Sequence, residues 1–150
     1  LRILRDRFGH DLVDVFMNAE AARHDPALQL ERPSIQLPLI FLIEYALTKL
    51  WAHYGITPSA LIGHSMGENT AACVAGVFSL EDALGLVLLR GQLMDEVERG
   101  GMLSVALPAA ELAEHLGGNL DLASANSPGL SVASGPIELL DALQGRLVES

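Results

Sequence analysis

The chain has 150 residues, the usual size of one domain, and carries 9 Lys+Arg against 19 Asp+Glu for a formal net charge of −10. A chain this acidic is poorly matched to phosphate backbones or anionic lipid, so neither nucleic acid nor a membrane surface is expected as a partner. Half of the residues are hydrophobic before the 14 glycines are counted, which excludes a disordered polymer.

Residues 1–36 read as helical and charged, punctuated by Gly9 and Pro26. The opening Leu1-Arg-Ile-Leu-Arg lacks a long apolar stretch with a small-residue cleavage site, so no secretion signal is read, and without Met it is not expected to be a native start. Asp11 to Ala22 places Leu12, Val15, Phe16 and Ala19 at helical spacing, and Arg23 to Pro33 reads as a polar loop. A strong helix is predicted from Pro38, proline being suited to a first turn. Its residues Leu39, Ile40, Phe41, Leu42, Ile43, Ala46, Leu47, Leu50 and Trp51 are apolar almost all round, and such a helix must be covered on several sides. The apolar run from Leu37 to Leu47 is broken by Glu44 and falls short of the roughly 20 residues of a membrane span. Gly55 marks the end of this helix.

Pro58 to Ser65 (PSALIGHS) is predicted as a short apolar strand running into a turn, and Met66 to Val77 resumes as helix with no loop between. Ser79-Leu-Glu-Asp82 has capping-box form and opens a further helix, with Leu84, Leu86, Val87, Leu88 and Met94 on its buried side and Gly100-Gly101 as its stop. Strands then follow at Met102–Leu107, Leu120–Ala125 and Leu130–Ser134, with helices at Pro108–Leu116 and Ile137–Val148. Strand, helix, strand, strand, helix is the order of a ferredoxin-like unit without its last strand. The single cysteine, Cys73, cannot form an intrachain disulfide, and a cytoplasmic location is the default.

Gly63-His64-Ser65-Met66-Gly67 is a G-x-S-x-G between a predicted strand and a predicted helix. Flanking glycines allow backbone to pass close to a tight turn, which pushes the serine hydroxyl out at the positive end of the following helix. The backbone N–H of Met66 then faces a developing oxyanion. A plainer reading stays open on the motif alone: Ser65-x-x-Glu68 is also a capping box, as is Ser79-x-x-Asp82.

Gly63-His-Ser-Met-Gly-Glu68, followed by Ala71-Ala-Cys-Val-Ala-Gly-Val-Phe-Ser-Leu-Glu-Asp-Ala83, closely resembles the acyltransferase domains of modular polyketide synthases and the free-standing malonyl-CoA:acyl-carrier-protein transacylases. Arg90-Gly-Gln-Leu-Met94, Gly100-Gly-Met102, Asn126-Ser-Pro-Gly129 and Ser134-Gly-Pro136 continue the resemblance in order, as do Pro38–Trp51 and Gly55–Pro58 upstream. The resemblance implies an α/β fold: part of an α/β-hydrolase-like large subdomain over residues 1–100, and part of an inserted ferredoxin-like small subdomain over 101–150. It implies Ser65 as nucleophile, the Met66 N–H as oxyanion donor and Arg90, 25 residues after Ser65, as clamp for a malonyl carboxylate. Outside the resemblance, Arg90 is an ordinary helix-surface arginine. An apolar Met66 side chain leans towards malonyl over methylmalonyl, and Asn126 is as well explained by a turn as by the active-site rim.

The implied substrate is malonyl-CoA or methylmalonyl-CoA, with no bound cofactor and no metal. The implied partners are an acyl carrier protein with its phosphopantetheine arm and neighbouring synthase domains. The family's catalytic histidine lies beyond Ser150 and its Gly-Gln-Gly-type oxyanion loop before Leu1, so the chain is expected to be a fragment of the domain. His64 is read as structural, and His10, His24, His53 and His115 as surface or helix-end residues. Two other readings stand beside acyl transfer. A serine hydrolase or thioesterase would use the same turn but has no use for Arg90, and a catalytically incomplete scaffolding piece would need neither residue.

Overall fold

A computed structural model describes residues 1–9, 11–17, 20 and 30–149, and the chain divides into two compact units, Leu1–Val97 and Glu98–Ser150. In the first unit, helix α1 spans Arg2–Phe8 and ends at Gly9 in the left-handed conformation, and α2 spans Val13–Met17 with the Asp11 carboxylate accepting from the Val13 N–H. The helix expected over Asp11–Ala22 is thus described only to Met17. Ala19, most of the loop placed over Arg23–Pro33, His10 and His24 lie outside the described residues.

Helix α3 runs Pro33–His53, five residues earlier than expected from Pro38. Pro33 takes the first helical position, and Pro38 sits inside the helix, where its ring costs one intrahelical hydrogen bond. The early start is held from a distance. Asp95, at the end of a later helix, accepts from the Ser34 N–H, the Ser34 hydroxyl and the Arg32 guanidinium (Arg32 Nη2 at 3.0 Å). At its full 21 residues α3 is long and apolar enough to cross a membrane by length and composition, which the broken Leu37–Leu47 run does not reveal. In this molecule its N-terminal half, including Ile35, Pro38, Leu39 and Phe41, is buried in the core. Ile43, Leu47, Leu50 and Trp51 remain exposed, so the covering expected on several sides is present on only part of the helix.

Helix α4 spans Met66–Val74 and α5 spans Leu80–Glu96. Gly76 at φ 78° ends α4 three residues before the expected Val77. Ser79 caps α5 as read from the sequence: its hydroxyl accepts from the Asp82 N–H at 3.1 Å. Ala83, Leu84, Val87, Leu88 and Gly91 are buried along α5, whereas Leu86 and Met94, expected inside, face out, and the helix stops at Val97 rather than at Gly100-Gly101. Gly91 permits a close approach of two helices. A Cβ there would lie 2.5 Å from the Pro33 carbonyl oxygen and 2.6 Å from the Ser34 Cα, so α3 and α5 meet backbone to backbone. With Leu4, Leu12 and Val15, the inner faces of α3, α4 and α5 form one apolar core.

No strand is found at Pro58–Ser65; residues 56–63 are irregular and Ile62 is 98% exposed. A short apolar segment becomes a strand only where a neighbour supplies its ladder, and the described residues of the first unit hold no strand to pair with.

The second unit holds β1 (Gly101–Val105), α6 (Ala109–His115), β2 (Asp121–Ser127), β3 (Leu130–Gly135) and α7 (Ile137–Glu149). The three strands form an antiparallel sheet in the order β1-β3-β2, with Leu103 opposite Ala133 and Ser127 opposite Leu130. Alternation puts Val105, Ser131 and Ala133 on the covered face, where Leu112 of α6 and Leu140 and Leu143 of α7 complete a second apolar core. The buried Ser131 hydroxyl is satisfied by donating to the Leu107 carbonyl at 2.9 Å.

Candidate active site

Ser65 immediately precedes α4 with φ 53° and ψ −115°, and among the described residues it is the one non-glycine residue with positive φ. An L-residue held there costs on the order of 1–3 kcal/mol, and such strain persists only where the surroundings impose it. They do so here. The chain before the turn crosses the first turn of α4 so closely that a Cβ on Gly63 would run into the backbone of Gly67 and Glu68. Two hydrogen bonds then close the corner, from the Gly67 N–H to the His64 carbonyl at 3.0 Å and from the Glu68 N–H to the Ser65 carbonyl at 3.2 Å.

This geometry excludes the capping reading of Ser65. A capping serine adopts extended backbone and accepts from an N–H of the first turn, as Ser79 does at φ −68° and ψ 159°. Ser65 has neither the backbone nor the hydrogen bond. Its side chain is exposed and, among the described residues, has no partner. The N–H of Met66, first in the helix, likewise has no intrahelical acceptor and lies at the positive end of the helix dipole. An exposed hydroxyl beside an unsatisfied N–H is the arrangement acyl chemistry requires of a nucleophile and one oxyanion donor.

The Met66 side chain turns inward and is buried, with Asn69 Nδ2 lying 3.8 Å from its sulfur. Cys73, two turns further along α4, is buried, and burial pushes its thiol above the ordinary range, only partly opposed by Lys49. Arg90 lies on α5, half-buried, and among the described residues its guanidinium has neither ion pair nor hydrogen bond. It contrasts with Arg7 and Arg32, paired with Glu81 and Asp95. A cavity of about 390 Å³ lined by Val15, Leu30, Gln36, Leu39, Ile40 and Ile43 includes neither Ser65 nor Arg90.

No described histidine hydrogen-bonds Ser65. His64 is exposed at the corner, and His53 and His115 occupy the last turns of α3 and α6. Asn126 lies in strand β2 rather than in a turn; the turn itself is Pro128-Gly129. Sequence reasoning passed over one contact of the corner: the Thr70 hydroxyl on α4 donates to the Glu44 carboxylate on α3. The available signal was a lone carboxyl in an otherwise apolar stretch.

The family model for the acyl transferase domain matches residues 2–149. Over 147 residues the chain is 40% identical to a phenolphthiocerol/phthiocerol polyketide synthase chain of Mycobacterium tuberculosis (strain CDC 1551 / Oshkosh), covering 97% of this chain and 9% of that protein. The solved acyl transferase domain of ZmaA matches 99% of this chain and 35% of its own, with a TM-score of 0.87 and 36% identity. The malonyl-CoA:ACP transacylase of Synechocystis sp. PCC 6803 matches 82% of this chain and 43% of its own, with a TM-score of 0.70 and 30% identity. The chain is thus α/β in class and spans less than half the length of each of these proteins.

Proposed function

The chain belongs to the acyl transferase domain family, and on that premise we propose that Ser65 carries a malonyl-type acyl group from coenzyme A to the phosphopantetheine thiol of an acyl carrier protein. The observation that carries this reading is the strained, exposed Ser65 corner with its uncapped hydroxyl and the free N–H of Met66 beside it. Ser65 Oγ attacks the thioester carbonyl and passes its proton to a histidine supplied from outside these 150 residues. The oxyanion is held by the Met66 N–H and a second donor, also from outside. Collapse of the intermediate breaks the carbon–sulfur bond, coenzyme A leaves as the thiol, and the carrier's thiol reverses the sequence.

Arg90 serves as the carboxylate clamp. Its support is an unpaired guanidinium in the same unit as Ser65, on a helix packed against that of the nucleophile. A two-pronged hydrogen bond from a guanidinium distinguishes malonyl from acetyl groups, and it gives Arg90 a use that a plain hydrolase does not offer. We read Leu1–Val97 as part of an α/β-hydrolase-like large subdomain. The β1-α6-β2-β3-α7 order supports Glu98–Ser150 as part of a ferredoxin-like small subdomain. The setting proposed is cytoplasmic, alongside other synthase domains, with malonyl-CoA or methylmalonyl-CoA as substrate and no bound cofactor or metal.

The test is a chimera in which these 150 residues replace their counterparts in the ZmaA acyl transferase domain. Intact mass after incubation with malonyl-CoA is expected to show a malonyl ester that Ser65→Ala abolishes. Arg90→Ala is expected to slow malonyl transfer about 100-fold, the scale of a lost charged hydrogen-bond pair, and acetyl transfer by less than about threefold. Equal losses for both acyl groups would remove the clamp, and faster release to water than to carrier protein would favour the hydrolase.

A further inference from the structure

We infer that Glu44 is a positioning residue for the Ser65 corner, acting through Thr70; the inference rests on Ser65 being the nucleophile. The face of α4 turned to the core is Met66, Thr70 and Cys73, all buried. Two of these contacts are apolar and non-directional, so they permit α4 to rotate or slide by a fraction of a residue. Thr70 is the polar member, and its hydroxyl must find a partner once buried. It donates to Glu44, the one carboxyl of α3 between Pro33 and His53. Glu44 is itself held on a helix whose start is fixed by Asp95, and one turn further on Thr48 Oγ1 donates to the Glu44 carbonyl at 2.9 Å.

A hydrogen bond is directional where apolar packing is not, so this contact sets the rotation of α4 about its axis. That rotation matters because Gly63 crosses the first turn of α4 at backbone contact. Any turning of the helix moves the surface against which the corner is bent. The pair therefore helps to impose the positive φ of Ser65, five residues before Thr70, without touching the serine.

Amide hydrogen exchange on the chain itself tests this without depending on acyl transfer. Gly67 and Glu68 donate the two hydrogen bonds of the corner, and Val87 and Leu88 on α5 report the stability of the unit. In Thr70→Val and in Glu44→Met, exchange at Gly67 and Glu68 is expected to rise about tenfold more than at Val87 and Leu88, the effect of one lost hydrogen bond. Thr70→Ser and Glu44→Gln, which keep a donor and an acceptor, should stay within about twofold of the parent at the corner. The double variant Thr70→Val/Glu44→Met should be no faster than either single variant. Parallel acceleration of all four amides, an unmoved corner, or additive effects in the double variant would each overturn the inference. Glu44→Met carries the test should Thr70→Val not fold. Failure of the ZmaA chimera to acylate Ser65 would overturn the proposed function and leave these exchange results as they are.

Discussion

At the scale of the residue, Ser65 pays for its position with backbone strain, and that strain is measurable. Glycine is unstrained at φ 53°, whereas alanine keeps the Cβ that serine has. Ser65→Gly is therefore expected to raise the stability of the first unit by about 1 kcal/mol in denaturant melts, while Ser65→Ala leaves it near the parent value. A gain in Ser65→Gly that Ser65→Ala does not share would mark the side chain at this position as held for chemistry rather than for folding. The corner was legible in the sequence through the glycine at 63, which has a steric reason to precede such a turn; a Cβ at Gly67 would meet open space, so that glycine matched the pattern without the same need. The choice between corner and cap was not, since Ser65-x-x-Glu68 satisfies both patterns and they differ only in backbone angles and in the partner of the hydroxyl. Glu44 and Thr70 were illegible for another reason. They lie 26 residues apart, and neither residue type announces a partner on a different helix.

At the scale of the element, local signals set the helices and distant ones set their ends. Ser79 begins α5 by a contact three residues away, and its position was read correctly. The start of α3 depends on Asp95, 61 residues away, which local pattern cannot show. Burial disfavours ionisation of Asp95, but hydrogen bonds from Ser34 and Arg32 outweigh it and hold the carboxyl below its ordinary 3.8. A carboxyl lowered on folding stabilises the fold above its unfolded value and loses that contribution as pH falls through the folded one. Asp95→Asn is thus expected to cost about 1 kcal/mol at pH 7, the scale of a helix cap. The difference between Asp95→Asn and parent in urea melts should hold from pH 7 to about 5 and shrink as pH falls below about 4. A pH-independent difference would mean the carboxylate's charge plays no part. Arg32, 45% exposed, contributes little of this through its charge. The missing strand at Pro58–Ser65 follows the same logic, because a strand needs its neighbour to exist and the sequence of the segment alone does not supply one.

At the scale of the whole molecule, the second unit's element order and sheet were largely legible, since its strands pair with one another and alternate in burial. The first unit was less so. Its long apolar helix was read as needing cover on several sides, and Ile43, Leu47, Leu50 and Trp51 leave an apolar flank on α3 in contact with solvent. The chain is expected to self-associate in sedimentation velocity at tens of micromolar, an order-of-magnitude threshold for an open apolar surface. Leu47→Lys/Trp51→Gln should restore a monomer without lowering the melting temperature by more than about 2 °C, because neither side chain belongs to the core. A parent chain that stays monomeric throughout would refute this. The seam between α3 and α5 has one more consequence. The Gly91 notch and the Asp95 clasp bind the two helices on either side of the open stretch 56–62. A protease that severs that stretch would leave two pieces still gripping each other, with Ser65 on the second and Glu44 on the first.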